Sequence, residues 1–324
     1  PALFGRIMSV AVDARRRVYI LDAHAQEVRV FDRAGQYLRT IGREGGGPGE
    51  FKRAMAVVIA PSGDLWVLDP GNARISAFDT AGAFLSSQRM LGGYFTSNWQ
   101  GGFDDEGLFY TYMPDATSET FRFVLAVFDA ALTRGGTFDV PTYRAEVFSL
   151  ANPDGRSYTQ ASIPYTPKLV WLFDPRGLIW FSITGEYRVY QRTLVGDTVR
   201  IIEHYSTPVP IASEERDSAL VALRWFVQQG GKIDATRLPT VKPAIEGLFL
   251  DTIGNLWVLP TMPRGEERTV ADIFDEEGRY LGRLRLPFRI KWRPAPTVLD
   301  DMMYAVIEDD LGVEYVVVAA IDKH

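Results

Sequence analysis

The chain contains no cysteine and only three histidines among its 324 residues. The absence of cysteine excludes disulfide bonds and thiolate metal ligands, and it fits a reducing cytosol and a bacterial envelope equally well. The histidines are His24, His204 and His324, and they do not occupy equivalent positions in the repeats described below. We therefore expect no zinc site with three histidine ligands, and we predict neither a metal ion nor a cofactor.

Long apolar runs are also absent. Because no stretch of about 18 apolar residues occurs, we predict no membrane-spanning segment. Charged residues make up 23% of the chain, and the formal net charge is −6. This balance gives no electrostatic indication of binding to nucleic acid or to an anionic membrane. The chain opens at Pro1 instead of a methionine, and we expect that residues upstream of it include an export signal.

A glycine-rich loop is present, and residues 43–51 read REGGGPGEF. A phosphate-binding loop of the Walker type needs Lys and then Ser or Thr directly after its last glycine, whereas Glu50 and Phe51 follow Gly49 here. Two short strand-like runs come next instead of a helix, which also argues against a dinucleotide-binding fingerprint. We expect the loop to link two units of a β-sheet protein, with Phe51 as a wedge between them.

Two segments of the chain repeat one another without a gap. Residues 7–42 read IMSVAVDARRRVYILDAHAQEVRVFDRAGQYLRTIG, and residues 54–89 read AMAVVIAPSGDLWVLDPGNARISAFDTAGAFLSSQR. Each contains four strand-like runs, with an aspartate at the end of the second run and a Phe-Asp-x-x-Gly hairpin after the third. Four antiparallel strands, a link and four more strands predict consecutive blades of a β-propeller.

Weaker copies of the repeat follow and bring the number of blades to six. They are marked by residues 107–110 and 127–129, 174–180, 250–258 and 274–280, and 302–307 and 314–321. The prediction is an all-β, six-bladed β-propeller of four-stranded antiparallel blades, formed as a single domain by residues 1–324. Only about three strands are predicted after Pro294, and we expect residues upstream of Pro1 to supply the closing strand of the last blade.

The repeats resemble those of the NHL-type six-bladed β-propellers. Those repeats carry the patterns G-x-G-P-G-x-F, V-x-x-D-x-x-G-x-[LI]-[YW]-V-x-D and R-[IV]-x-x-F-D-x-x-G, and the match here is strong in blades one, two and five. The resemblance implies the fold. It does not imply one function, because the family includes scaffolds, receptor sensor domains, lyases and hydrolases. Together with the lack of cysteine, it leads us to expect an extracytoplasmic protein of a bacterial envelope, either periplasmic, secreted or envelope-anchored.

In a propeller the first strand of each blade lines the central channel, and the links between blades share one face with the turns between second and third strands. We call this the loop face. Two links are longer than the repeats require, residues 139–167 and residues 207–244. The second predicts a helix at 213–229 between blades four and five, with Ser213 as N-cap and Gly230 at its end. We expect the two links to cap the channel mouth, with an edge-covering or dimer-forming helix as the alternative.

Alignment of the first strands predicts which side chains meet at the channel mouth. Arg6 and Arg53 share one register, Lys168 lies one place further on, and Glu246 shares the register of Trp99. A basic rim of this kind suits a ligand that bears a carboxylate, phosphate or sulfate, or an acidic peptide side chain. The alternative is that the arginines pair with Asp22, Asp69 and Glu50 and fasten the blades together.

The tryptophans divide into two groups. Trp66, Trp180 and Trp257 recur at one position of the second strand, which predicts packing between blades. Trp99, Trp225 and Trp292 lie outside that series, and Trp99 at the channel and Trp225 on the inserted helix are the better candidates for ligand contact. The complete set of candidate ligand-binding residues is Arg6, His24, Arg53, Trp99, Lys168, Trp225 and Glu246.

We predict that the protein binds a small molecule or peptide at the loop face and the channel mouth. One alternative is a hydrolase or lyase of the strictosidine-synthase-like or gluconolactonase-like kind, with Glu246 as its base. If the protein is not such an enzyme, we expect Glu246 to form a plain salt bridge to Arg53 or Lys168. Another is a protein–protein interaction scaffold, in which the inserted helix docks a partner. The charge supports no nucleic-acid partner.

Overall fold

The computed structural model describes residues 3–90, 101–115 and 122–321. Blade one comprises β1 (Ile7–Val12), β2 (Val18–Asp22), β3 (Glu27–Phe31) and β4 (Tyr37–Ile41). Blade two comprises β5 (Ala56–Ile59), β6 (Leu65–Asp69), β7 (Arg74–Phe78) and β8 (Phe84–Arg89). Blade three comprises β9 (Gly101–Phe103), β10 (Phe109–Pro114), β11 (Phe123–Phe128) and β12 (Arg134–Asp139).

A hairpin precedes the fourth blade, and two short helices precede the fifth. The hairpin is β13 (Val147–Ala151) and β14 (Tyr158–Ser162), followed by blade four with β15 (Leu169–Asp174), β16 (Leu178–Ile183), β17 (Arg188–Thr193) and β18 (Thr198–Glu203). The helices are α1 (Ser213–Ala222) and α2 (Arg224–Gln228). Blade five is β19 (Ile245–Leu250), β20 (Leu256–Pro260), β21 (Val270–Phe274) and β22 (Tyr280–Arg285), and blade six is β23 (Thr297–Leu299), β24 (Met302–Glu308) and β25 (Glu314–Ala320).

The chain is therefore a six-bladed β-propeller, as the repeats predict. In each blade the strands pair in chain order, and five of the six blades have four strands among the described residues. Blade six has three there, and its completion by an upstream strand stays a prediction. Among the described residues, no helix has both the length and the apolar character needed to cross a membrane.

Apolar side chains between adjacent blades form most of the core. The second strands of blades one and two are buried along their whole length, whereas every residue of the outermost strand β8 is exposed. Phe51 is fully buried in a cluster that joins Val30 and Ile41 of blade one to Leu65 and Phe78 of blade two. The predicted wedge is thus confirmed.

The recurring tryptophans of the second strands are core residues, as their spacing predicts. Trp66, Trp180 and Trp257 are each less than a tenth exposed. The indole nitrogen of Trp180 donates to Asp174, and that of Trp257 donates to Asp251, at 2.9 and 3.2 Å. Their polar atoms are satisfied within the blade, so these rings pack and do not form a platform for a ligand.

A carboxylate at the end of the second strand fixes the link that leads into the inner strand. Asp22 accepts hydrogen bonds at 2.9–3.2 Å from four backbone amides, those of Gly5, Arg6, His24 and Ala25. Asp69 does the same in blade two, at 2.9–3.4 Å, for the amides of Lys52, Arg53, Gly71 and Asn72. The repeated aspartate therefore accepts hydrogen bonds from backbone amides of the link. Asp22 is not the partner of the Arg6 guanidinium.

We expect Asp69→Ala to lower the free energy of unfolding by roughly 2–4 kcal/mol, because it leaves several buried amides without an acceptor. Asp197→Ala serves as the control, since Asp197 is exposed in a turn and we expect its loss to change stability by less than about 0.5 kcal/mol. Urea unfolding followed by circular dichroism measures both values. Equal stability of the two variants would contradict a role for Asp69 in holding the link.

The same arrangement predicts loss of stability in acid. Burial alone would raise the pKa of Asp22, but the amide donors of Gly5, Ala25, Arg6 and His24 outweigh it and lower the pKa below its ordinary value of 3.8. A carboxyl group with a lowered folded-state pKa contributes its full stability above that ordinary value and loses it as the pH falls further. We expect Asp22→Asn to be less stable at about pH 6 and to depend less on pH down to about pH 3. If the midpoint of urea unfolding depended on pH in the same way in Asp22→Asn and in the wild type, the prediction would be wrong.

Candidate functional site

The central channel opens at the loop face, where the inner strands β1, β5, β9, β15, β19 and β23 begin. A cavity of about 670 Å³ occupies this region, and we call it the channel cavity. Its wall includes Met8, Met55, Trp171 and Leu248 from four different blades, so much of it is apolar. Arg6, Lys291 and Arg293 are the basic residues in the wall.

One of these cations is neutralised within the protein. Lys291 places its Nζ 2.6 Å from an Oε atom of both Glu308 and Glu314. These two carboxylates raise the pKa of Lys291. Glu314 also accepts a hydrogen bond from the amide of Ile7, which ties blade six to blade one. Lys291 therefore serves the closure of the ring and is not available to a ligand.

Two other cations meet on the ring of Trp292. The Nζ of Lys168 lies 5.2 Å from the ring centroid, and the Cζ of Arg293 lies 4.3 Å from it. Both distances fall within the range of cation–π attraction. Neither side chain forms an ion pair or a conventional hydrogen bond with the described residues. Trp292 thus gathers two positive charges that no carboxylate neutralises at contact.

The two cations are also electrostatically unfavourable to each other. Burial lowers the pKa of Lys168, and the nearby charge of Arg293 lowers it further, while Glu246 acts in the opposite direction. Burial lowers the pKa of Arg293 as well, although a guanidinium stays charged at any physiological pH. An anion bound near both cations would offset both effects.

The positions of Lys168 and Trp292 have local causes. In blade four the aspartate of the repeat is replaced by Ile183, and the neutral hydroxyl of Thr184 accepts the amide of Lys168 at 3.0 Å. In β19 a Cβ atom on Gly247 would lie 3.0 Å from the indole of Trp292, closer than side chains normally pack. The lack of a side chain at this position lets the indole lie against the backbone of blade five.

The predicted rim residues are only partly brought together. Arg6 and Trp292 line the channel cavity, and Lys168 lies over the ring of Trp292 but is not in the described wall of the cavity. Arg53 is exposed in the link before β5 and is absent from the described wall of the cavity. Trp99 lies outside the described residues. Binding roles for all four stay predictions.

Glu246 differs from the expectation of a carboxylate paired with Arg53 or Lys168. The structure pairs it with Arg289, whose Nη2 lies 4.0 Å from Oε1, and the side chain of Glu246 is 42% exposed. It shares a cavity of about 20 Å³ with Trp292 and Arg289, which has room for about one water molecule. The Arg289 pairing corrects the predicted partner, because the guanidinium approaches from the link before blade six, whose register the repeats do not fix.

The two remaining candidates lie apart from the channel cavity. His24 is exposed in the turn between β2 and β3, and its amide donates to Asp22 at 3.0 Å. Trp225 belongs to α2 and is 43% exposed. Neither is among the described residues that line the channel cavity. Among the described residues, no group of three or more His, Cys, Asp or Glu is arranged to hold a metal ion.

The two long links pack on each other. A shared apolar cluster contains Phe148 and Ile163 from the first link and Leu223, Phe226 and Leu238 from the second. None of their described residues lines the channel cavity, and a role as a cap over the mouth stays a prediction.

The predicted helix is corrected in two respects. Ser213 is the first helical residue and Ala212 is the N-cap, and the helix is interrupted at Leu223 before α2. Leu223 departs from helical geometry with φ −89° and ψ 2°, and its side chain is buried in the shared cluster. Three apolar side chains of the helices, Val221, Trp225 and Val227, remain 43–50% exposed.

Sequence reasoning missed Arg293 and Gly247, and it ranked Trp292 below Trp99 and Trp225 as a ligand contact. Blade six follows the repeat least closely, so the residues before β23 could not be aligned with the other links. The available signal was the run Lys-Trp-Arg-Pro at residues 291–294, an aromatic residue between two cations immediately before an inner strand. Such a run is a candidate binding element at the mouth of any propeller channel.

Comparisons with known proteins agree with this fold. Residues 2–152 match a family model described as a 6-bladed beta-propeller. No curated protein matches the chain. A member of the DUF4221 family from Bacteroides vulgatus has a similar structure, with 12% identity, a TM-score of 0.55, and coverage of 98% of this chain and 93% of the other.

Two further structures are similar over nearly the whole chain. A protein from Bacteroides fragilis that is thought to be exported shows 13% identity and a TM-score of 0.52, covering 99% of this chain and 92% of its own. A streptogramin B lyase shows 10% identity and a TM-score of 0.47, covering 100% of this chain and 86% of its own. At these identities the similarities to the two Bacteroides proteins show the fold alone.

We expect Arg293→Gln to raise the pKa of Lys168 toward the ordinary lysine value, because the substitution removes a like charge that opposes protonation. Arg15→Gln is the matched control, since Arg15 is exposed in the turn between β1 and β2. The pKa can be followed by NMR after reductive methylation with ¹³C-formaldehyde, with Lys168→Met used to assign the signal. A Lys168 titration that is the same in both variants would show that the two cations do not interact.

Proposed function

We propose that this propeller binds a small anionic molecule, or an acidic side chain of a peptide, at the mouth of its central channel. The observation that carries the proposal is the pair of cations, Lys168 and Arg293, over the ring of Trp292. Neither has a carboxylate in contact among the described residues, and burial lowers the pKa of both. A bound anion would remove the repulsion and restore the hydrogen bonds that burial costs them.

The two cations would play different roles. The planar guanidinium of Arg293 can donate two parallel hydrogen bonds to a carboxylate or phosphate, whereas the ammonium of Lys168 acts as a point charge with rotatable donors. Arg6 lies in the wall of the same cavity and adds positive potential. The charge of Glu246 acts to raise the pKa of Lys168, which supports a role for Glu246 in keeping this lysine protonated.

The enzyme alternative has weaker support. A general base needs a carboxyl group that is poised to take up a proton, and burial is the usual means of raising its pKa. The Glu246 side chain is 42% exposed and lies 4.0 Å from the guanidinium of Arg289, so it is not buried. The geometry therefore supports ligand binding more than catalysis by Glu246.

The interaction-scaffold alternative rests on the exposed apolar side chains of the inserted helices, Val221, Trp225 and Val227. Membership of the NHL-type family and a location outside the cytoplasm belong to the same set of proposals. The G-x-G-P-G-x-F link before blade two supports the first of them. Fractionation of the producing cells, with the protein detected by antibody, would test the second.

Isothermal titration calorimetry at low ionic strength with phosphate, sulfate and acetate tests the binding proposal. We expect at least one of these anions to bind, and we expect Lys168→Met and Arg293→Met each to weaken its binding by about 10- to 100-fold, since each removes a charge-assisted hydrogen bond. Arg33→Met is the control because it removes an equal charge from an exposed position in the turn after β3. Added salt should weaken binding to the wild type.

Two outcomes would contradict the proposal. Equal binding by Arg33→Met and Lys168→Met would show that the anions respond only to net charge. Absence of binding, together with a defined oligomer that Trp225→Ser disperses in size-exclusion chromatography with light scattering, would favour the interaction scaffold.

A further inference from the structure

The channel cavity is larger than an anionic group alone requires. Its volume is about 670 Å³, and pockets of roughly 300–1,000 Å³ hold organic molecules of drug size. An isolated carboxylate or phosphate would fill only a small part of that space. The rest of the cavity must suit either the remainder of a ligand or water.

Apolar groups form about half of the wall of the channel cavity. Met8, Met55, Trp171 and Leu248 contribute to it. A polar side chain in the same wall, Ser9, already accepts a hydrogen bond from the amide of Val57, and Glu314 is engaged by Lys291. A polyhydroxylated ligand would leave the apolar side chains of the wall without apolar contacts.

Blade three contributes no side chain to the described wall of the cavity. Gly101 and Gly102 line the cavity at β9. Gly101 is required by the backbone, because its φ is +148° and a Cβ there would lie 2.1 Å from the carbonyl oxygen of Tyr110. Gly102 has no such requirement, since a Cβ there would meet no described atom within 4 Å. The absence of a side chain at Gly102 therefore adds space to the channel and is not needed to form the strand.

We propose that the ligand is an amphipathic anion, with a negatively charged head group on Lys168 and Arg293 and an apolar body that extends from Trp292 into the channel toward Gly102. This inference rests on the proposed anion-binding function and specifies its ligand class. The head group satisfies the two cations. The body covers the apolar wall, and its removal from water supplies affinity that a small inorganic anion lacks.

A series of straight-chain carboxylates tests the proposal. We expect the affinity of the wild type to increase from acetate through butyrate and hexanoate to octanoate, by roughly 4-fold for each buried methylene. Calorimetry gives the dissociation constants, and phosphate serves as a head group without an apolar body. Lys168→Met should weaken every member of the series by a similar factor.

The Gly102→Leu variant distinguishes the contribution of the apolar body to binding from that of the charged head group. Its side chain should occupy the open part of the cavity, so octanoate should bind at least 10-fold more weakly while acetate and phosphate bind as before. Gly136→Leu is the matched control, since Gly136 lies in the outer strand β12 of the same blade and a Cβ there also meets no described atom within 4 Å. If Gly102→Leu fails to fold, Met55→Ala removes part of the wall and should weaken octanoate selectively.

Each result bears on one of the two proposals. Affinities that do not rise with chain length, while acetate binds and Lys168→Met weakens it, overturn the amphipathic ligand and leave anion binding in place. Octanoate binding that is unchanged in the Lys168→Met, Arg293→Met double variant overturns the anion site instead. Equal losses in Gly102→Leu and Gly136→Leu show that the body does not lie in the channel. No binding by any carboxylate overturns the amphipathic ligand, and the additional failure of phosphate and sulfate to bind overturns both proposals.

Discussion

The site depends on how the links are held in front of the inner strands. In blades one and two a buried aspartate at the end of the second strand accepts backbone amides from the link and from the adjacent turn. Such amides would otherwise be buried without partners, which is costly. Because the carboxylate oxygens of Asp22 are occupied by backbone donors, the side chain of Arg6 is left to face the channel cavity. The interaction that builds the loop face thus also exposes its positive charge.

Blades four and five lack the aspartate of the repeat near Lys168. The repeat position of the aspartate holds Ile183 in blade four and Pro260 in blade five. The amide of Lys168 is accepted by the uncharged hydroxyl of Thr184, so the link is still held without a carboxylate beside the lysine. This local absence of negative charge is one reason why burial and Arg293 can lower the pKa of Lys168.

The sequence predicted those features that recur with the repeat. The six blades, the Phe51 wedge and the buried second-strand tryptophans all follow from residues within about 40 positions of one another, where strand period and turn chemistry are informative. The Trp292 site joins residues near blades four, five and six, and its first and last members, Lys168 and Arg293, are more than a hundred positions apart in the sequence. Its central residue lies in the link that follows the repeat least, so register could not place it.

The corrections have the same origin. The partner of Glu246 comes from the link before blade six, and the interruption of the inserted helix at Leu223 coincides with burial of that side chain among residues of the other long link. Both depend on tertiary contacts that no local pattern encodes. Caps and helix periodicity predicted that a helix exists, whereas its packing partner determined where it is interrupted.

The overall charge of the protein bears on the kind of ligand that the mouth can hold. With a formal net charge of −6, the protein repels anions at long range, and the attraction of Lys168 and Arg293 is felt mainly within a Debye length of about 8 Å. A small hydrated anion would gain little beyond that contact and would have to give up its own hydration. An anion with an apolar body gains burial energy that does not depend on the net charge. The negative net charge and the basic channel mouth are therefore compatible when the ligand is amphipathic, because such a ligand gains affinity that a small inorganic anion lacks.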